Sequence, residues 1–205
     1  QAAFDLMGIP YTGTGYLSSA MAMDKGVTKA MFQMRGVSTP GGKSMKKKDR
    51  QDSLAALGME FPVVVKTCCG GSSIGVYIVD DQEAYQKALD EAFEYENEVV
   101  VEEFIKGVEY TVAVVDGTAY PVVQIVPKEG FYDYENKYKP GAVQETCPAP
   151  ISEELTKRLQ EAAVDGYHAL EMESYARLDF IVTEDEKIYC LEANTLPGMT
   201  PTSLI

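Results

Sequence analysis

The chain has 205 residues, enough for one ordinary domain or two small ones with a sizeable core, and its 45% hydrophobic and 24% charged residues are globular proportions. A net charge of −14 argues against nucleic acid as a bulk partner, although a few placed lysines still let an acidic protein bind phosphates. No run approaches the roughly 18 apolar residues of a membrane span, and Gln1-Ala2-Ala3-Phe4-Asp5 is not a signal peptide, so no membrane contact is expected. The start without Met, and an end at Thr202-Ser203-Leu204-Ile205 with no terminating element, suggest a piece of a longer protein. Cys68, Cys69, Cys147 and Cys190 lack metal-ligand spacing, so reduced thiols in a cytoplasmic protein are expected. A single histidine, His168, in a helical segment, disfavours histidine-based triads and histidine-rich zinc sites.

Residues 1–23 read as a helix, a Gly/Thr/Pro loop over 8–15 and a short second helix, the tail of a preceding domain. Asp24 to Gln33 forms a helix with Lys25 and Lys29 four apart on one face. Residues 38–44, with Pro40-Gly41-Gly42, read as a loop. The basic run Lys43 to Arg50 reads as a solvated loop, because no aromatic residues interleave it. A compact α+β unit follows, with strands at Phe61 to Lys66 and Ile74 to Val79, a helix from Gln82 to about Tyr95, and a strand at Glu98 to Glu102.

A second unit opens with a strand from Tyr110 to Val115, joined by the hairpin dipeptide Asp116-Gly117 to a strand over Ala119 to Val126. An aromatic, polar loop runs from Phe131 to Gln144. Ser152 then caps a helix whose first turn holds Glu153 and Glu154, with Leu155, Leu159, Ala163 and Leu170 at helical period. Strands at Arg177 to Val182 and Ile188 to Asn194, separated by Glu184-Asp185-Glu186-Lys187, close the chain.

These last two strands carry the strongest chemical signal. Side chains alternate along a strand, so Arg177 shares a face with Asp179, and Glu192 shares one with Asn194. If the strands pair antiparallel about the acidic turn, Asp179 falls opposite Glu192 and Arg177 opposite Asn194. Two carboxylates and an amide oxygen suit Mg²⁺; the alternative is a cross-strand ion pair on edge strands. The turn Leu196-Pro197-Gly198 would bring backbone N–H groups beside that patch.

Three other features support a phosphate-bearing ligand. Lys66 ends a strand before Thr67-Cys68-Cys69-Gly70-Gly71-Ser72-Ser73, which reads either as a phosphate nest or as a plain glycine-rich hairpin. It is not a Walker A loop, because Gly-Lys-Ser/Thr is absent and strands flank it. Glu102 and Glu109 bracket a strand exit between the two units; they could face solvent, or accept hydrogen bonds from a nucleoside held there. Residues 131–138 hold three tyrosines and a phenylalanine, as a lid closing over a ligand would.

The order and spacing of these pieces resemble the D-alanine–D-alanine ligases of the ATP-grasp superfamily over essentially the whole chain. The resemblance rests on Ala22-Met23-Asp24-Lys25, Val65-Lys66, Gly71 to Gly75, Glu102 to Glu109, Phe131 to Tyr138, Arg177-Leu178-Asp179 and Glu192 to Thr200. It implies an α+β, ATP-grasp fold in which two α+β units hold ATP between them. Residues 1–23 would be the tail of an absent amino-terminal domain, 24–105 the central subdomain, and 106–205 a truncated carboxy-terminal subdomain with the metal site. The implied activity joins two D-alanines through an acyl phosphate, for peptidoglycan precursors and hence cell wall and cell shape.

The resemblance also implies roles. Lys25 and Lys66 would hold ATP phosphates and Lys137 the γ-phosphate. Glu102 and the backbone of Glu103, Phe104 and Ile105 would meet adenine, and Glu109 the ribose. Asp179, Glu192 and Asn194 would ligate two Mg²⁺, with Mn²⁺ as a substitute. Arg177 and the Gly198 backbone would stabilise an oxyanion, Ser72 and Tyr138 would form a relay to the substrate amine, and Ser203 and Leu204 would meet the second amino acid's carboxylate. D-alanine and ATP are the implied partners, with the intact protein a homodimer. Three departures stand out: the missing amino-terminal domain, the missing last helix, and Cys69-Gly70 where many relatives carry Arg-Glu. The fragment alone is therefore expected to be inactive. Rival readings are a D-alanine–D-serine or D-alanine–D-lactate ligase, the latter disfavoured by Tyr138, and a non-catalytic ATP-binding module, disfavoured by Arg177.

Overall fold

The computed structural model describes residues 1–71, 74–127 and 143–198. Two short helices, α1 (Ala2–Met7) and α2 (Tyr16–Met23), open the chain. Asp24 then caps α3 (Lys25–Arg35) by accepting from the Val27 N–H at 3.0 Å, and Gly36, at φ 76°, ends it in the left-handed region that glycine tolerates.

The first sheet has the order β1-β4-β2-β3 and is antiparallel throughout. Its strands are β1 (Gly42–Lys46), β2 (Val63–Thr67), β3 (Val76–Val79) and β4 (Glu98–Glu103). The helix α4 (Gln82–Tyr95), capped by Asp81, packs Tyr85, Leu89 and Phe93 onto Val63, Val65, Val99 and Val101. Val64 and Val100, on the opposite face, are buried too. Cover on both faces explains why β2 and β4 read as continuous apolar runs rather than alternating ones.

β1 lies where the sequence predicts a loop. It is an edge strand with only Met45 buried, so no apolar alternation marks it, and its exposed lysines protect the open edge. Gly42 looks like a turn residue and is not one. A Cβ there would meet the Val101 carbonyl oxygen at 2.5 Å and Glu102 Cα at 2.8 Å, so glycine permits β1 to approach β4. Two lysines of the basic run are tied down by their ammonium groups: Lys43 in β1 and Lys47 just after it donate to the carbonyls of Leu57 and Phe93 at 2.7 and 3.0 Å.

The second sheet runs β10-β9-β5-β7-β8, with β6 hung on β5. In chain order its strands are β5 (Val108–Val115), β6 (Thr118–Ala119), β7 (Val123–Pro127), β8 (Val143–Thr146), β9 (Tyr175–Val182) and β10 (Ile188–Asn194). Asp116 and Gly117 both take positive φ, 46° and 74°, as a two-residue hairpin turn requires. The single strand predicted over Ala119 to Val126 is split in two around Pro121, which has no N–H to give a ladder. The helix α5 (Glu153–Ala169), capped by Ser152, covers one face with Leu155, Leu159 and Ala163 against Val112, Leu178 and Phe180. Exposed His168 in its last turn sets its ring edge-on to Tyr167, 5.4 Å away.

Helices α2 and α3 pack on this second core through Ala22 and Phe32, and Thr14 and Ser18 donate to the carbonyls of Glu173 and Glu171 at 2.7 and 2.8 Å. Among the described residues no helix is long and apolar enough to cross a membrane.

Candidate active site

Each sheet turns one face to its helix and gives its polar residues to the other. On β9, Ala176, Leu178, Phe180 and Val182 enter the core, which leaves Arg177, Asp179 and Ile181 on the far face. On β5, Tyr110, Val112 and Val114 go inward, and Glu109 and Thr111 share the face of Asp179, with Thr111 directly opposite it. On β2 and β4 the far face carries Lys66 and Glu102.

The expected pairing of β9 with β10 is present: Glu192 lies opposite Asp179 and Asn194 opposite Arg177. A bulge achieves it. Cys190 pairs with Phe180, and the register slips by one residue before Glu192. In an unbroken strand Cys190 would share the face of Glu192 and Asn194. Instead it is 1% exposed in the core, while the two polar side chains stand on the far face.

The Asp179 carboxylate is the centre of this patch. Arg177 grips it with two parallel bonds, Nε to Oδ1 at 2.9 Å and Nη2 to Oδ2 at 2.8 Å. Thr111 Oγ1 donates to Oδ1 at 2.6 Å, and Asn194 Nδ2 donates to Oδ2 at 3.0 Å and to Glu192 Oε1 at 3.4 Å. Thr111 is a site residue that sequence reasoning missed. Its only signal is the two-residue step from Glu109 along β5, which puts both on one face.

A second polar cluster joins the first sheet to α3. Glu102 is 3% exposed and holds two lysines, Lys29 on Oε2 at 2.6 Å and Lys66 on Oε1. Burial alone would raise the Glu102 pKa, but the two ammonium groups outweigh it and hold the carboxyl below its usual range. Burial opposes the charge on Lys66; attraction from Glu102, with Glu192 and Glu109 further off, overcomes it and raises its pKa. Lys29, also missed, sits one turn after Lys25 on α3.

Lys25 bridges the clusters. Its Nζ donates to the Gly70 carbonyl of the glycine-rich loop and lies 4.0 Å from Glu192 Oε2. Its backbone N–H donates to the Cys68 carbonyl at 2.9 Å. Gly70 is tightly enclosed, since a Cβ would collide with Thr67 Oγ1, and Gly75 holds φ at 72°. At the strand exit, Glu103 accepts from the Gly41 N–H at 2.6 Å, while its own N–H donates to the Gly41 carbonyl and the Phe104 N–H to the Pro62 carbonyl. Gly198 ends the described segment with nothing within 4 Å of a Cβ position. Ser72, Lys137, Tyr138, Ser203 and Leu204 lie outside the described residues.

The donor set of Asp179, Glu192 and Asn194 suits a hard divalent cation of the Mg²⁺ type, which takes one or two carboxylates and completes its shell elsewhere. Among the described residues no three His, Cys, Asp or Glu side chains form a metal cluster, so an amide would have to serve as third ligand. Asn194 now turns its amide nitrogen to both carboxylates; as a ligand it would present Oδ1.

Two sheets, each backed by its own helix and core, with the lysines of α3 and β2 near the carboxylates of the second sheet, are the ATP-grasp arrangement. The family model described as the D-Ala–D-Ala ligase C-terminus matches residues 25–205. The D-alanine–D-alanine ligase of Syntrophotalea carbinolica is 46% identical over all 205 residues, which span 66% of its length. The D-alanine–D-alanine ligase of Bacillus anthracis, in a crystal structure complexed with ATP, aligns with a TM-score of 0.85 at 35% identity, covering 100% of this chain and 65% of that one. The VanG D-Ala:D-Ser ligase of Enterococcus faecalis gives 0.87 at 33% identity, covering 98% and 60%. The chain belongs to the D-alanine–D-alanine ligase family, and it spans about two thirds of the length of the curated relatives it matches.

Proposed function

We propose that the protein carrying this chain is an ATP-dependent ligase that joins two D-alanines and releases ADP and phosphate. The observation that carries this reading is the far face of the second sheet, where Arg177 stands beside the carboxylates of Asp179 and Glu192. Besides pairing with Asp179, a guanidinium there suits a reaction that develops an oxyanion.

In the proposed reaction Lys25, from α3, and Lys66, from β2, hold the phosphates beside the glycine-rich loop. Glu109 accepts from the ribose. Adenine lies at the Glu102–Ile105 exit, beside the backbone of Glu103, Phe104 and Ile105. Asp179, Glu192 and Asn194 hold Mg²⁺, which when bound neutralises charge on the phosphates. One D-alanine carboxylate attacks the γ-phosphorus, giving an acyl phosphate and ADP. The amine of the second D-alanine then attacks the acyl carbon, loses its proton as the bond forms, and expels phosphate. Arg177 and the Gly198 N–H stabilise the oxyanion of that step, and the segment with Lys137 and Tyr138 excludes water from the acyl phosphate. We further propose the units 24–105 and 106–205 as the two halves of the grasp, a cytoplasmic setting, and a homodimer of the full-length protein.

The test is D-alanine-dependent ADP release by the full-length protein, with the product identified by mass. D-alanyl-D-alanine as product supports the reading; nucleotide binding with no turnover would make the protein a binding module. The likeness to VanG motivates a competition between D-alanine and D-serine as acceptor. A product containing D-serine at equal concentrations would reassign the acceptor.

A further inference from the structure

Lys29 takes no part in that reaction, yet it is one of the most deeply placed charges in the molecule. It is 7% exposed, with Nζ 2.6 Å from Glu102 Oε2 and 3.2 Å from Thr39 Oγ1. The other Glu102 oxygen is taken by Lys66. A single carboxylate therefore faces two ammonium groups in a site that water hardly reaches.

The charge count gives this arrangement a consequence. Lys66 and Glu102 alone sum to zero, so in a site of low dielectric the carboxylate would cancel the lysine's field toward any anion. With Lys29 the group carries a net +1. Lys25 and Lys29 are four residues apart, so one face of α3 delivers one lysine to the glycine-rich loop and the other to Glu102. We propose that Lys29 is a positioning residue for nucleotide phosphates: by balancing the Glu102 charge, it lets the field of the Lys66 ammonium, still paired with Oε1, act on a phosphate. This rests on reading the site as a nucleotide site. A purely structural Lys29 would instead be a staple between α3 and β4, indifferent to how many phosphates the ligand carries.

The two roles separate in a ligand series on the full-length protein, titrated with adenosine, ADP and a non-hydrolysable ATP analogue. The wild type should favour the analogue strongly over adenosine. Lys29→Met should cut affinity for the analogue and ADP by about tenfold or more while adenosine binding hardly changes. Adding Glu102→Gln to Lys29→Met should recover most of the lost preference for phosphate, because the cancelling charge has gone. Lys29→Arg should keep that preference. Glu102→Gln alone, which needs no folded Lys29→Met protein, should not lower the ratio of analogue to adenosine affinity.

Equal losses for adenosine and the analogue in Lys29→Met, or a double variant worse than the single, would overturn the proposal in favour of a staple. A wild type that binds the analogue beside a Lys29→Met that binds it equally well would defeat the proposal alone. A well-folded wild type that binds no adenine ligand would remove the nucleotide reading and this inference with it.

Discussion

Asp179 is held by three neighbours at once, Arg177, Thr111 and Asn194, at 8% exposure. A buried carboxylate costs free energy unless such partners are kept, so loss of one is felt. Thr111→Val preserves shape and removes a 2.6 Å bond, and should cost about 1–3 kcal/mol in denaturant unfolding while leaving the fold intact. Glu102 makes stability depend on pH in a definite direction. Its folded pKa lies below the ordinary 4.5, so its contribution is present above that value and is lost as pH falls through the lower, folded pKa. Unfolding free energy should therefore drop below about pH 4.5, and drop less in Glu102→Gln. The thiols should divide by burial. Cys68, pushed up to about 12 by burial, and Cys190, pushed well above 9 by burial, should resist a thiol reagent at pH 8 until the protein unfolds, whereas exposed Cys69 and Cys147 should react in the folded state. Slow labelling at all four, or fast labelling of Cys68, would contradict this.

Among the elements, the helix α5 was legible because its Ser152 cap and apolar period agree, and the β9–β10 hairpin because an acidic turn separates its two apolar runs. β1 was hidden because an edge strand of Gly42-Lys43-Ser44-Met45-Lys46 has no face to bury beyond Met45. The bulge in β10 was hidden for a different reason. Alternation along Ile188 to Asn194 puts Cys190 with Glu192, and only the core's claim on Cys190 reverses its side. The connection from β4 to β5 is set by Gly107, where a Cβ would run into the Val182 carbonyl and the Ile181 side chain. Backbone on a paired strand cannot yield cheaply, so Gly107→Ala should lower stability by about 1–3 kcal/mol, seen as a lower thermal midpoint. An unchanged midpoint would mean that β9 or the connection is free to shift there.

At the scale of the whole molecule, the surplus of acid conceals a few cations turned inward. Lys25, Lys29 and Lys66 gather between the sheets of a chain with net charge −14. Composition showed only the sign of the total, while the strand ends at Lys66 and Arg177 showed where the chemistry lies. Lys29 and Thr111 stayed unread because each acts through another residue: their steps from Lys25 and Glu109 showed a shared face, not the carboxylates they bind. In the proposed reaction, the carboxylate face of the second sheet and the lysines of α3 and β2 form one site for Mg²⁺ and nucleotide. Calorimetric titration of the full-length protein with a non-hydrolysable ATP analogue, with and without Mg²⁺ and beside Asp179→Asn, tests this most directly. Saturable binding that Mg²⁺ strengthens and the variant loses is expected. Binding that is the same with and without Mg²⁺, and the same in folded Asp179→Asn, would contradict it.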